Sequence, residues 1–208
     1  MHPNPVYRQE SHERNIAFAR DRGFGVLSVN GDPAPLISHI PFALSEDGTR
    51  AEIHLVRSNP IARAATAPLP AVLAVTGPDG YISPDWYGDP AQVPTWNYVA
   101  VHLRGTLHPL PDEDLRTSLE TLTELFETRL LPKKPWLLDK TPEDVQARLM
   151  RMIRPFRFEV AEVDGTWKLA QNKTPSARQS AAGHLKAAPI GQETALLAAL
   201  MMGVQDGE

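Results

Sequence analysis

The sequence predicts a mainly β protein, a small antiparallel barrel that carries α-helices, and three observations support this. Segments of alternating apolar and polar residues recur along the chain and are separated by turn residues, which indicates roughly seven short strands. Segments with helical spacing interrupt them late in the chain, and no linker or internal repeat divides it. The 208 residues include 20 prolines and 13 glycines, as expected of a loop-rich β protein.

Each strand is predicted from its own pattern and from the turn that follows it. The alternation is most regular over 97–107, where Tyr98, Ala100, His102, Arg104 and Thr106 alternate with Val99, Val101, Leu103 and Gly105. We expect Gly77-Pro78-Asp79-Gly80 and Asp164-Gly165 to act as turns that end strands. The predicted strands cover 24–29, 36–44, 51–56, 71–75, 81–83, 97–107, 156–163 and 167–169.

The helices are predicted from spacing and capping residues. A first helix covers 11–23, with Ser11 as its N-cap and Gly23 as its left-handed end. A second covers 112–130, and a third begins at Thr141. The chain after 173 is predicted to be helical and peripheral. Its apolar end, 195–202, is too short to cross a membrane and is expected to pack on the body or on a second subunit.

Charge and composition exclude several classes of protein. The net charge of −4 argues against a chain built to bind polyanions, and zero cysteines exclude disulfides and thiolate metal sites. Six acids and two arginines lie within 112–130, so this one helix carries a charge equal to that of the whole chain. The seven histidines show no metal-binding spacing. The first residues lack the apolar run of a signal peptide, so a cytoplasmic location is expected.

Polar residues at strand ends are the candidates for a binding site. Arg57, Ser58 and Asn59 end a strand just before Pro60 starts a helix, a set that suits a phosphate monoester. Equally, Ser58 or Asn59 would only cap that helix and Arg57 would be solvated. Upstream, 38–42 places a histidine and a proline inside a strand, where proline is expected only at an edge or a break.

Two further segments concentrate aromatic and hydrogen-bonding side chains. Rings and amides in 81–87 and 94–98 are of the kind that line a planar ligand, although an aromatic mini-core would use the same residues. Glutamine, asparagine and lysine cluster in 167–173 after the final strand, where a solvated tail is the alternative. None of these residues qualifies as a general acid or base from the sequence. His39, His54 and Tyr98 are candidates by position only.

Together these segments resemble one family. In chain order they are His2–Arg8, Ser38–Phe42, His54–Pro60, Gly80–Tyr87, Val93–Tyr98 and Gly165–Lys173. The six resemble motifs of the PaiB family, the FMN-binding negative transcriptional regulators, over residues 2–175. The resemblance implies a flavin-binding split β-barrel of antiparallel strands with peripheral helices. We expect a domain of 1–175 with a helical insertion at 112–154, followed by a helical extension of 176–208.

The resemblance also implies a homodimer with FMN at the subunit interface. The FMN phosphate would lie at Arg57, Ser58 and Asn59, and the other subunit would supply residues of the last motif. A flavin-dependent redox reaction, or a flavin-responsive regulatory role, is the function expected. The cofactor-binding residues implied are Ser38, His39, Ile40, Pro41, Phe42, His54, Arg57, Ser58, Asn59, Thr95, Trp96, Asn97, Tyr98, Trp167, Gln171, Asn172 and Lys173.

Two alternatives stay open. A branch similar to this family, the piperazate synthases, binds haem b and closes an N–N bond, and there His54 would be the axial ligand; neutral imidazole is competent for this. The other alternative is a non-catalytic regulator without a cofactor. The acidic helix at 112–130 argues against direct DNA binding, because a DNA-reading helix exposes Arg or Lys.

Overall fold

The computed structural model describes residues 1–204 and has an antiparallel sheet as its central element. The sheet order is β2-β1-β5-β6-β7-β4-β3, and β8 pairs with β5. The strands are β1 (Phe24–Val29), β2 (Leu36–Pro41), β3 (Ala43–Leu44), β4 (Arg50–Val56), β5 (Leu69–Ile82), β6 (Thr95–Pro109), β7 (Ile153–Lys168) and β8 (Gly191–Gln192). The helices are α1 (His12–Arg22), α2 (Pro60–Ala64), α3 (Leu115–Glu127), α4 (Glu143–Met150), α5 (Pro175–Leu185) and α6 (Thr194–Met202).

Register places the buried residues of paired strands on one face. β1 pairs with β2 so that Leu27 lies opposite Ser38, and β4 pairs with β7 so that Ile53 lies opposite Phe156. Opposed residues of an antiparallel pair share a face, and Leu27, Ile53 and Phe156 are fully buried. The period-two pattern read from the sequence therefore marks the core face correctly.

Two predicted turns are wrong. Gly77-Pro78-Asp79-Gly80 lies inside β5 and Asp164-Gly165 lies inside β7, so each pair of predicted short strands is one long strand. A Cβ on Gly80 would lie 2.7 Å from Leu185 Cδ1, and one on Gly165 would lie 2.0 Å from Asn15 Oδ1. Both glycines therefore serve close packing rather than chain reversal.

The helical predictions are closer to the structure. The first helix is confirmed as α1, and the predicted helix 112–130 comprises α3 between two 3₁₀ turns. The chain after 173 contains α5 and α6, which pack on each other, and the short strand β8 was not predicted. The prediction that 176–208 forms a separate extension stays a prediction, and 205–208 lie outside the described residues.

The chain divides into two compact units. Unit one comprises 1–15, 76–101 and 164–208, and its core includes Ile82, Leu169 and Leu197. Unit two comprises 16–75 and 102–163, and its core includes Phe42, Ile53 and Phe158. Strands β5, β6 and β7 each contribute residues to both units. None of the helices within 1–204 is both long and apolar enough to cross a bilayer.

Candidate functional site

The turn after β4 in unit two gathers several of the predicted residues. Asn59 Nδ2 donates a hydrogen bond of 2.9 Å to Ser38 Oγ, which joins the turn to strand β2. Asn59 Oδ1 accepts from the backbone N–H of Ile61 at 2.9 Å and so caps α2, as the alternative interpretation of the sequence required. The exposed Ser58 lies beside it. We call Ser38, Arg57, Ser58 and Asn59 the turn cluster.

Arg57 is not simply solvated. Its Nη2 donates to the Asp112 carboxylate at 2.6 Å, and its Nε donates to the carbonyl oxygen of Arg151 at 3.0 Å. Both partners come from the helical insertion, and the guanidinium and the carboxylate remain partly exposed. The insertion thus fixes the orientation of the one permanent positive charge in the turn cluster.

The predicted residues of β2 differ in their environments. Ile40 and Phe42 are buried in the core of unit two, so their side chains are not accessible to a ligand. Pro41 is half-buried at the end of β2, at the sheet edge where proline is tolerated. His39 is exposed on the opposite face of the strand from Ser38.

His54 is half-buried in β4, and its Nδ1 is a buried atom without a hydrogen-bond partner among residues 1–204. Burial lowers the pKa of the imidazole, which therefore stays neutral near pH 7. Its strand neighbour in register is Pro155, which has no N–H to offer. A neutral imidazole with an unused nitrogen is the form that ligates a metal.

Several predicted residues of unit one already have structural partners. Trp167 is buried and its Nε1 donates to Asn15 Oδ1 at 2.8 Å, while the Arg14 guanidinium lies 4.4 Å from the ring centroid. Gln171 closes its own turn by accepting from the N–H of Leu169 and donating to the carbonyl of Trp167. Asn97 is only 1% exposed.

A cavity of about 180 Å³ in unit one brings other predicted residues together. We call it the lysine cavity, because Lys168 and Lys173 both line it. Thr95, Asn97, Asn172 and Lys173 were predicted from the sequence, and the other lining residues were not. The latter are Tyr7, Tyr87, Gln92, Val93, Lys168 and Ala170.

Trp96 and Tyr98 are not among the residues that line this cavity. Trp96 is exposed and meets Tyr81 edge to face, with ring centroids 6.3 Å apart. Tyr98 is half-buried, and burial raises the pKa of its phenol, so it stays protonated at neutral pH. Lys168 was overlooked because it alternates with the buried Trp167 and Leu169, a position typical of a solvated residue on the outer face of a strand.

A larger cavity than the lysine cavity lies in unit two. A groove of about 600 Å³ runs between α3 and strands β3, β4 and β7, and no residue predicted for cofactor binding lines it. Its wall includes several hydroxyl groups and the ion pair between Arg157 and Glu52. Within residues 1–204, no group of three or more His, Asp or Glu side chains is placed to hold a metal ion.

Comparison with known proteins identifies the family. The sequence model of a family described as "Putative FMN-binding domain" matches residues 1–162. The chain belongs to this family. The match to the family model covers β1 to β6, α1 to α4 and most of β7, and it includes the whole turn cluster. The cofactor prediction, FMN, is confirmed at the level of the family description.

A curated relative supports the resemblance read from the motifs. The protease synthase and sporulation protein PAI 2 of Bacillus subtilis is 28% identical over 172 residues, which cover 81% of this chain and 82% of that protein. The predicted membership of the PaiB family is therefore confirmed.

Solved structures confirm the fold class, a split β-barrel with peripheral helices. The FAD and Heme binding protein of Mycobacterium smegmatis superposes with a TM-score of 0.56 at 18% identity, over 78% of this chain and 73% of that one. A conserved hypothetical protein of Mycobacterium tuberculosis gives a TM-score of 0.52 at 13% identity, over 78% and 88% of the two chains.

Proposed function

We propose that this chain is an FMN-binding protein whose turn cluster holds the FMN phosphate. The observation that carries the proposal is the hydrogen bond from Asn59 Nδ2 to Ser38 Oγ, which joins the turn after β4 to strand β2 within the family's matched region. A hydroxyl and an amide group thus lie within hydrogen-bond distance of each other, and Arg57 of the same turn has its guanidinium held by Asp112. Such a donor set fits a phosphate monoester.

The residues present fit FMN in their chemistry. Ser38, Ser58 and Asn59 offer neutral donors, and Arg57 keeps Nη1 for a phosphate oxygen while its other nitrogens are bonded. When bound, FMN would supply hydride and electron transfer, and the protein would orient the ring and its substrate. A flavin-dependent redox role, or a regulatory role that responds to flavin, is the function we propose.

The test compares FMN with riboflavin, which lacks the phosphate. We expect Ser58→Ala to weaken FMN binding, measured by quenching of flavin fluorescence, and to leave riboflavin binding unchanged. Arg57→Ala should weaken FMN binding by about 1.5–3 kcal/mol if Nη1 contacts the phosphate. Asp112→Asn is the matched counterpart: it removes the negative charge beside the guanidinium and should strengthen FMN binding. Equal losses for FMN and riboflavin in Ser58→Ala would refute the placement of the phosphate, and no flavin binding by the wild type would refute the function.

We also propose that the chain acts as a homodimer. On the β1–β2 hairpin, Phe24 and Ile37 are 54% and 61% exposed and lie on one face with His39. Exposed apolar residues grouped on a sheet face are typical of an interface. We expect light scattering after size-exclusion chromatography to give twice the chain mass, and Ile37→Glu to shift it towards the monomer. A monomeric wild type would refute this proposal.

A haem-binding role is the second candidate, and the half-buried His54, whose imidazole is neutral near pH 7, favours it. Haem iron takes neutral imidazole as an axial ligand. The protein titrated with haemin should then show a Soret band that His54→Ala abolishes and His12→Ala, a change of an exposed histidine in α1, preserves. A Soret band that survives His54→Ala, or none in the wild type, would eliminate this candidate. A wild type that binds neither FMN nor haem would point to the regulator without a cofactor.

A further inference from the structure

The lysine cavity is lined by two positively charged groups, as an anion-binding site would be. Lys168 Nζ donates to Thr95 Oγ1 and Lys173 Nζ donates to Gln92 Oε1, and both acceptors are neutral. No ion pair between side chains within residues 1–204 includes either lysine. Since each ammonium carries three N–H groups, both lysines keep donors for a further acceptor.

The side chains that accept from the two ammonium groups or lie against them are neutral. Burial, and then the positive charge of Lys173, lowers the pKa of Lys168. The rings of Tyr7 and Tyr87 lie 5.9 and 5.4 Å from the two ammonium groups. Burial raises the pKa of the Tyr87 phenol to about 12, so it supplies no negative charge at neutral pH.

Asp89 is the carboxylate whose charge interacts with Lys173, but it is occupied elsewhere. Its Oδ1 accepts from the N–H of Ala91 at 2.9 Å, and its Oδ2 accepts from Gln92 Nε2. These bonds, more than Lys173, lower the pKa of the Asp89 carboxyl. Asp89 thus caps its own loop and positions the glutamine that receives Lys173.

The size of the cavity limits what enters it. About 180 Å³ is below the roughly 300 Å³ at which pockets begin to enclose a drug-sized molecule. A flavin ring system is of that larger class, whereas a phosphate or carboxylate group is far smaller. The cavity therefore suits one charged group of a ligand and not the whole ligand.

We propose that the lysine cavity binds an oxyanion, the phosphate or carboxylate group of a small molecule, between the ammonium groups of Lys168 and Lys173. The neutral hydroxyl and amide groups of Thr95 and Asn172 add polar contacts at the wall. The site goes beyond the proposed cofactor site at the turn cluster, and its test does not depend on that proposal.

The experiment titrates flavin-free protein with inorganic phosphate and with acetate, by isothermal calorimetry at low ionic strength. We expect saturable binding of at least one anion to the wild type, and a loss of affinity of about 10-fold or more in Lys173→Gln and in Lys168→Gln. Lys168→Arg, which keeps the positive charge, should retain part of the anion affinity of the wild type. Lys186→Gln removes the same positive charge from an exposed lysine of the same unit and should leave the anion affinity unchanged.

The outcomes separate the sources of the anion. If saturating phosphate competes with FMN but not with riboflavin, and the lysine variants lose FMN affinity alone, the oxyanion is the phosphate of FMN. If the lysine variants bind flavin as the wild type does but no longer bind phosphate or acetate, the oxyanion belongs to a second, acidic ligand. The proposal would be overturned, whether or not FMN binds, if the wild type showed no saturable anion binding. It would also be overturned if Lys168→Gln and Lys173→Gln lost no more anion affinity than Lys186→Gln. Should Lys168→Gln fail to fold, Lys173→Gln decides alone.

Discussion

The hydrogen bond between Asn59 and Ser38 makes a sharp prediction about stability. Asn59→Ala removes two interactions, the cap on the Ile61 N–H and the bond to Ser38. Loss of a cap costs about 1 kcal/mol, and a net hydrogen bond contributes about 0.5–1.5 kcal/mol. We therefore expect Asn59→Ala to lower the free energy of unfolding by about 1.5–2.5 kcal/mol, measured by equilibrium urea unfolding.

A double-mutant cycle isolates the bond from the cap. Ser38→Ala removes only the bond and should cost about 0.5–1.5 kcal/mol. The double variant should then be no less stable than Asn59→Ala, because the shared bond is already lost, which gives a coupling energy of about 0.5–1.5 kcal/mol. A coupling energy near zero would show that the bond between β2 and the turn contributes nothing. Ser38 would then not belong to the turn cluster.

Two further predictions concern packing and pH. Gly165→Ala places a Cβ 2.0 Å from Asn15 Oδ1 and should lower the free energy of unfolding by about 1–3 kcal/mol, whereas Gly183→Ala, where a Cβ meets nothing within 4 Å, should leave stability unchanged or raise it slightly. Equal effects of the two changes in urea unfolding would contradict the packing argument. Bonds from the Ser45 hydroxyl, and then from the Thr49 N–H and hydroxyl, lower the pKa of Asp47 to about 2. Because the folded pKa lies below the unfolded value of about 3.9, the ionised carboxylate stabilises the fold above pH 4 and this stabilisation is lost as the pH falls towards 2. The stability difference between wild type and Asp47→Asn should therefore shrink over that range, while Glu46→Gln serves as the neighbouring control; a difference that is constant with pH would refute the assignment.

The strands could be predicted wherever one face of the sheet meets the core. The alternation in β1 and β4 gave their bounds closely, since each has apolar side chains at every second position. The predicted breaks at Gly80 and Gly165 failed for a physical reason. Glycine is required both at turns and where two chain segments approach closely, and only the folded neighbours, Leu185 and Asn15, distinguish the two cases.

The candidate site shows the same division between local and non-local information. The cap at Asn59 involves only residues 59–61, so it could be predicted from the sequence. The bond to Ser38 spans 21 residues, and the lysine cavity joins Gln92 to Lys173 across 81 residues. Lys168 could not be recognised from its own segment, because the acceptor of its ammonium, Thr95, is 73 residues away.

The acidic segment 112–130 has a different role in the structure from the one that its charge suggests. From the sequence, its six acids are expected to form one solvated face, and with two arginines they give the segment the net charge of −4 that the whole chain carries. Asp112 instead holds Arg57, and Glu127 accepts from Lys133 and from the N–H of Trp136 at 2.7 Å. An anion that approaches the turn cluster must therefore compete with Asp112 for the guanidinium or bind at its remaining nitrogen. The balance between these two modes sets how strongly Arg57 contributes to phosphate binding, which is why Asp112→Asn and Arg57→Ala should change FMN affinity in opposite directions.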